Sequence, residues 1–145
     1  MKEMNSLLKL MRNIIVIFFI IIHHYCSAQT IYNTDLLLKT WKLQSMTRVD
    51  GKPYLKELPN ELIRFKKDSI WERKRGSDKS EGIWYFDAQG LIVIQCIKIN
   101  GNPNQSREHK FLSKIKELDS DQLILIYLER EGNDVICIYS SYSGN

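Results

Sequence analysis

Histidine is nearly missing from this chain: of its three, His23 and His24 fall in an N-terminal stretch that reads as a leader, which leaves His109. One histidine excludes a multi-His metal site and any mechanism that needs a His pair. Cysteine is as scarce. Cys26 belongs to the leader, and Cys96 and Cys137 fall mid-strand in strands that are not neighbours. A bridge needs Cα atoms within about 7 Å, so two buried free thiols are expected, with a disulfide as the alternative. No apolar run is long enough to cross a bilayer, because the longest, residues 14–22, is about nine residues where a span needs about twenty. Charge of one sign is lacking too. The chain carries +4, but removing Lys2, Lys9, Arg12 and Glu3 with the leader leaves +2, and a nucleic-acid partner loses its electrostatic basis. Gly-x-Ser-x-Gly, a Gly-rich phosphate loop, Cys-x-x-Cys and His-Glu-x-x-His are all absent, so neither an enzyme nor a cofactor is expected.

What is present begins with the leader. Basic Lys2, Lys9 and Arg12 precede the apolar run, and Cys26, Ser27 and Ala28 follow it, which reads as a signal peptide cut after Ala28 and export to the periplasm or beyond. Tyr25 stands where lipoprotein processing at Cys26 would want a small residue, and Met11 could itself be the start. Residues 1–28 are then the signal, and 29–145 supply 117 residues, enough for one domain and too few for two.

A short helical turn capped by Thr34 or Asp35 carries Leu36, Leu37 and Leu38. Eight runs rich in β-branched and aromatic residues follow, at 40–49, 61–66, 69–74, 81–87, 91–100, 108–117, 122–129 and 134–139. In the hairpin of residues 81–94, Gly90 takes the φ > 0 position of a three-residue loop. Connections 50–60, 75–80, 101–107 and 130–133 are long, while 67–68, 88–90 and 118–121 are tight. Alternate connections of a meander fall at opposite ends. The expected fold is therefore all-β, an eight-stranded antiparallel up-and-down β-barrel with a mouth of long loops and a floor of tight turns.

Three segments, Leu38-Lys39-Thr40-Trp41-Lys42-Leu43, Gly82-Ile83-Trp84 and Leu118-Asp119-Ser120-Asp121-Gln122-Leu123-Ile124-Leu125, resemble the lipocalin-like domains of small secreted bacterial proteins. Lipocalins typically carry Gly-x-Trp at the first strand and meet that Trp with an Arg near the end of the last. Here Lys39 replaces the Gly, and nothing after Arg130 is basic. The resemblance implies a barrel that binds a small apolar or amphipathic molecule.

The aromatics Trp41, Trp71, Trp84, Phe65, Phe86, Phe111, Tyr127 and Tyr139 either line a ligand cavity or fill the core, and in 117 residues the volume of large rings favours filling. Alternation on the third strand puts either Trp71 and Arg73 inside or Ile70 and Glu72. With Trp71 inside, Arg73 enters the upper barrel and can hold a ligand carboxylate; the simpler reading has it reach solvent at the strand end. The basic stretch Lys66 to Lys79 is interleaved with acids and reads as a solvated hairpin. Tyr54, in the first mouth loop, is a lid or an anchor for its own loop. The candidate ligand-binding residues are Tyr54, Trp71, Arg73, Trp84, Phe86, Phe111 and Tyr127, and a monomer without a metal is expected. A cavity of at least about 300 Å³ at the mouth favours binding, and a solid interior favours a structural or protein-interaction module.

Overall fold

The expected hairpin at residues 81–94 forms as read. Gly90 has φ +77°, and the Asp87 carboxylate accepts from the backbone N–H groups of Gln89 and Leu91, both at 2.9 Å, to close the loop. It is one of a series in a computed structural model that describes residues 32–103, 110–129 and 132–144. The leader, His109 and most of the loop expected at 101–107 lie outside these.

A four-residue helix, α1 (Thr34–Leu37), leads into β1 (Thr40–Arg48), β2 (Glu61–Phe65), β3 (Ile70–Arg75), β4 (Asp78–Phe86), β5 (Ile92–Ile99), β6 (Lys110–Leu118), β7 (Gln122–Tyr127) and β8 (Val135–Ser141). Asn33 caps α1, one residue before the expected cap, its side chain accepting from the Asp35 N–H. Each strand pairs antiparallel with the next, and β8 pairs with β1, so the barrel is closed and leaves no open edge.

One connection differs from the expectation. β4 starts at Asp78, and Arg75 pairs directly with Asp78, so β3 and β4 join through the two-residue turn Gly76-Ser77 and not through a loop of residues 75–80. The segment looks loop-like because Ser77, Asp78, Lys79 and Ser80 are polar; it is a strand because its ladder with β3 continues past the apolar core. The mouth therefore has three long connections and one tight turn.

The lower barrel is packed solid. Trp41 is fully buried and its indole N–H donates to the Leu37 carbonyl at 3.1 Å, tying α1 across the floor. Lys39 lies 5.0 Å from the Trp41 ring centroid and donates to the Ser120 carbonyl at 2.8 Å. Lys39 thus supplies a cation to the tryptophan two positions on. Phe65, Trp84 and Phe86 meet edge to face at 5.4 and 5.9 Å, and Tyr32 stacks on Phe86 at 6.4 Å while donating to the Ile115 carbonyl at 2.7 Å. Each buried ring of this size contributes roughly 2–3 kcal/mol. Cys96 and Cys137 are buried free thiols on β5 and β8.

Candidate functional site

Above this layer the inward positions turn polar. Period-two alternation points Glu61, Ile63 and Phe65 of β2 inward, and Trp71, Arg73 and Arg75 of β3. Of the two orientations open for β3, the one with Trp71 and Arg73 inside is found. Arg73 is half-buried and lines a cavity; it does not simply leave the strand end for solvent.

The cavity opens between the long loops and measures about 230 Å³. Five of the seven candidate residues, Tyr54, Trp71, Arg73, Phe111 and Tyr127, line it together. Trp84 and Phe86 do not: they belong to the packed floor, where the Trp84 indole N–H donates to the Lys66 carbonyl at 3.1 Å. Sequence reasoning missed Met46, Glu61, Arg75, Glu129 and Val135 in the lining, and Tyr139 was seen only as one aromatic among eight. Alternation carried the signal for Glu61 and Arg75, since they continue the inward rows of β2 and β3.

The charges in the lining are largely matched. Glu61 is buried, accepts from Arg75 Nε at 2.6 Å and from the Tyr139 hydroxyl at 3.2 Å, and Tyr139 in turn lies 3.2 Å from the Tyr127 hydroxyl. Glu129 accepts from the Tyr54 hydroxyl at 2.8 Å, and the Arg48 guanidinium sits 5.5 Å from the Tyr54 ring centroid. Tyr54 thus reaches across the rim from the first long loop to the end of β7, anchoring its loop. Its phenol titrates higher than usual because it donates to the Glu129 carboxylate. Burial pushes the Tyr127 and Tyr139 phenols up and the Cys137 thiol up to about 12, so these groups are neutral at ordinary pH.

Arg73 is the exception to the matching. Its guanidinium lies 5.7 Å from the Trp71 ring centroid, its side-chain hydrogen bond is a long one of 3.4 Å to Ser80 Oγ, and no carboxylate pairs with it among the described residues. Two buried side-chain atoms have no hydrogen-bond partner among the described residues, Trp71 Nε1 and Ser113 Oγ. Trp71 is in the cavity lining.

A larger depression, about 310 Å³, lies on the side of the barrel along β2, β3 and β4, and Arg73 and Ser80 border it too. Arg64, Glu72, Lys74, Lys79 and Glu81 surround it with alternating charge, and Lys66 pairs with Glu72 nearby. Such a surface is satisfied by itself and by water. The mouth cavity, with Arg73 unmatched by a carboxylate among the described residues, is the candidate site. No family model matches the chain, and no curated protein matches it, so the site stands on its geometry alone.

Proposed function

We propose that this is an exported, lipocalin-like protein that binds a small apolar or amphipathic molecule non-covalently, as a monomer and without catalysis, at the long-loop end of its barrel. The leader-like residues 1–28 support export. The observation that carries the binding reading is the mouth cavity itself, walled by Met46, Phe111 and Val135 on its apolar side and by polar groups above the packed floor. Apolar walls with a few placed polar groups are the usual make-up of a small-molecule site.

Size limits the ligand. At about 230 Å³ the mouth cavity does not reach the roughly 300 Å³ expected above of a binding barrel, the lower end of drug-sized sites. A 150 Å³ apolar cavity takes a benzene, so by proportion this one takes roughly nine non-hydrogen atoms. The molecule is smaller than a retinoid or a long-chain lipid. Native mass spectrometry of the purified protein tests the reading: a bound species of low mass that leaves on gentle activation supports it, and bare protein that also takes up no member of a small-amphiphile library counts against it.

A second reading, an interaction module with no small ligand, has its own support. Ile83 and Tyr85 of β4, Ile97 of β5 and Leu112 of β6 are exposed apolar side chains on consecutive strands. Concentration-dependent association that is lost in Tyr85→Ser would favour it.

A further inference from the structure

We infer that the ligand of the mouth cavity is a small monocarboxylic acid, its carboxylate held by the Arg73 guanidinium, with its tail against Met46, Phe111 and Val135. The inference rests on the mouth being a binding cavity and goes further by assigning the ligand's head group.

The donor inventory leads to this class. A guanidinium only donates, so whatever satisfies it must present acceptors. Arg73 has one long bond to a hydroxyl, Ser80 Oγ at 3.4 Å. The guanidinium lies over the face of the Trp71 indole, 5.7 Å from the ring centroid, and lines the cavity. A carboxylate brings acceptors alone, whereas an alcohol or a primary amide adds donors of its own. The charge count narrows the class further. The lining holds two cations and two carboxylates: Arg75 is paired with Glu61, Glu129 accepts from the neutral Tyr54 hydroxyl, and Arg73 is the cation with no carboxylate partner among the described residues. Two carboxylates in the same lining oppose a dianion such as a phosphate monoester. The Tyr127 and Tyr139 hydroxyls, neutral through burial, add no competing charge.

Isothermal titration of the purified protein with hexanoate and with its neutral isostere hexanamide tests this, alongside Arg73→Gln checked for folding by circular dichroism. Hexanoate is expected to bind about tenfold or more tighter than hexanamide to the unaltered protein, as a charge-assisted bond allows. Arg73→Gln should erase that preference. Equal binding of acid and amide overturns the acid assignment and leaves the cavity reading standing. Binding of neither overturns the acid assignment, and the cavity reading falls with it if hexanol does not bind either. A preference that survives Arg73→Gln removes Arg73 as the anchor, and if that variant does not fold, the acid-against-amide comparison on the unaltered protein decides.

Discussion

Glu61 shows how a single residue shapes the upper barrel. Its carboxylate is 3% exposed, and it is retained there because Arg75 and Tyr139 both donate to it. Removing one member of a buried pair costs more than the pair contributes, but Arg75 is 39% exposed and can turn to water, which discounts the penalty. Glu61→Ala should lower the unfolding free energy by about 2 kcal/mol in denaturant melts. An unchanged midpoint would mean the pair is idle. Asp119 is the counterpart at the floor. Its carboxylate accepts from the backbone N–H groups of Asp121 and Gln122, both at 2.7 Å, which hold its pKa below the ordinary 3.8. A depressed folded value means stability that is present above pH 3.8 and is lost as pH falls through the folded value. The stability gap between the natural protein and Asp119→Asn should therefore be widest above about pH 4 and shrink on acidification, read from melts across pH 2–6.

The hairpin of β4 and β5 is the element on which the wall depends. Its tip was legible from Asp-Ala-Gln-Gly, because a three-residue loop needs φ > 0 at its last position and Gly90 provides it. Its middle was not. The β4–β5 register shifts between Glu81 and Gly82, and a Cβ at Gly82 would stand 2.1 Å from the Gln95 carbonyl oxygen, inside any allowed contact. Gly82→Ala should cost about 3 kcal/mol or more, or prevent folding, as seen by thermal melting; wild-type stability would show that the strands can part at no cost. The same contrast runs through the neighbouring elements. The inward row of β3 was open between two choices in the sequence, because Ile70 and Glu72 alternate as well as Trp71 and Arg73. Tertiary packing of Trp71 decided it, and Arg73 followed into the cavity. The polar start of β4 hid a strand, since alternation is a weak signal where both faces carry Ser, Asp and Lys.

For the whole molecule, ring volume decides between a filled and a hollow barrel, and it does so differently at the two ends. Floor aromatics fill the lower half, while alternation that brings Glu61, Arg73 and Arg75 inward keeps the upper half from closing. The number and order of strands were readable from sequence; the cavity's volume was not, because it depends on how neighbouring side chains interlock. Three weak acids in this upper region, the buried Cys137 and Tyr139 and the half-buried Tyr127, have folded pKa values raised by desolvation, that of Cys137 from 9.0 to about 12. Raised values mean stability that is intact below pH 9.0 and is lost as pH climbs toward the folded values. Stability should be flat from neutrality to about pH 9 and fall beyond it, with a shallower fall in Cys137→Ala; an equal slope in that variant would place the alkaline loss elsewhere.

The central claim is that the open half of this barrel holds a small molecule. Calorimetric titration of hexanoate, hexanamide and hexanol into the natural protein and into Val135→Phe, whose added ring fills the cavity from β8, tests it most directly. The expected result is saturable binding of at least one of the three to the natural protein and none to a Val135→Phe variant that melts normally. Binding that survives in the filled variant, or no binding to either, would contradict it.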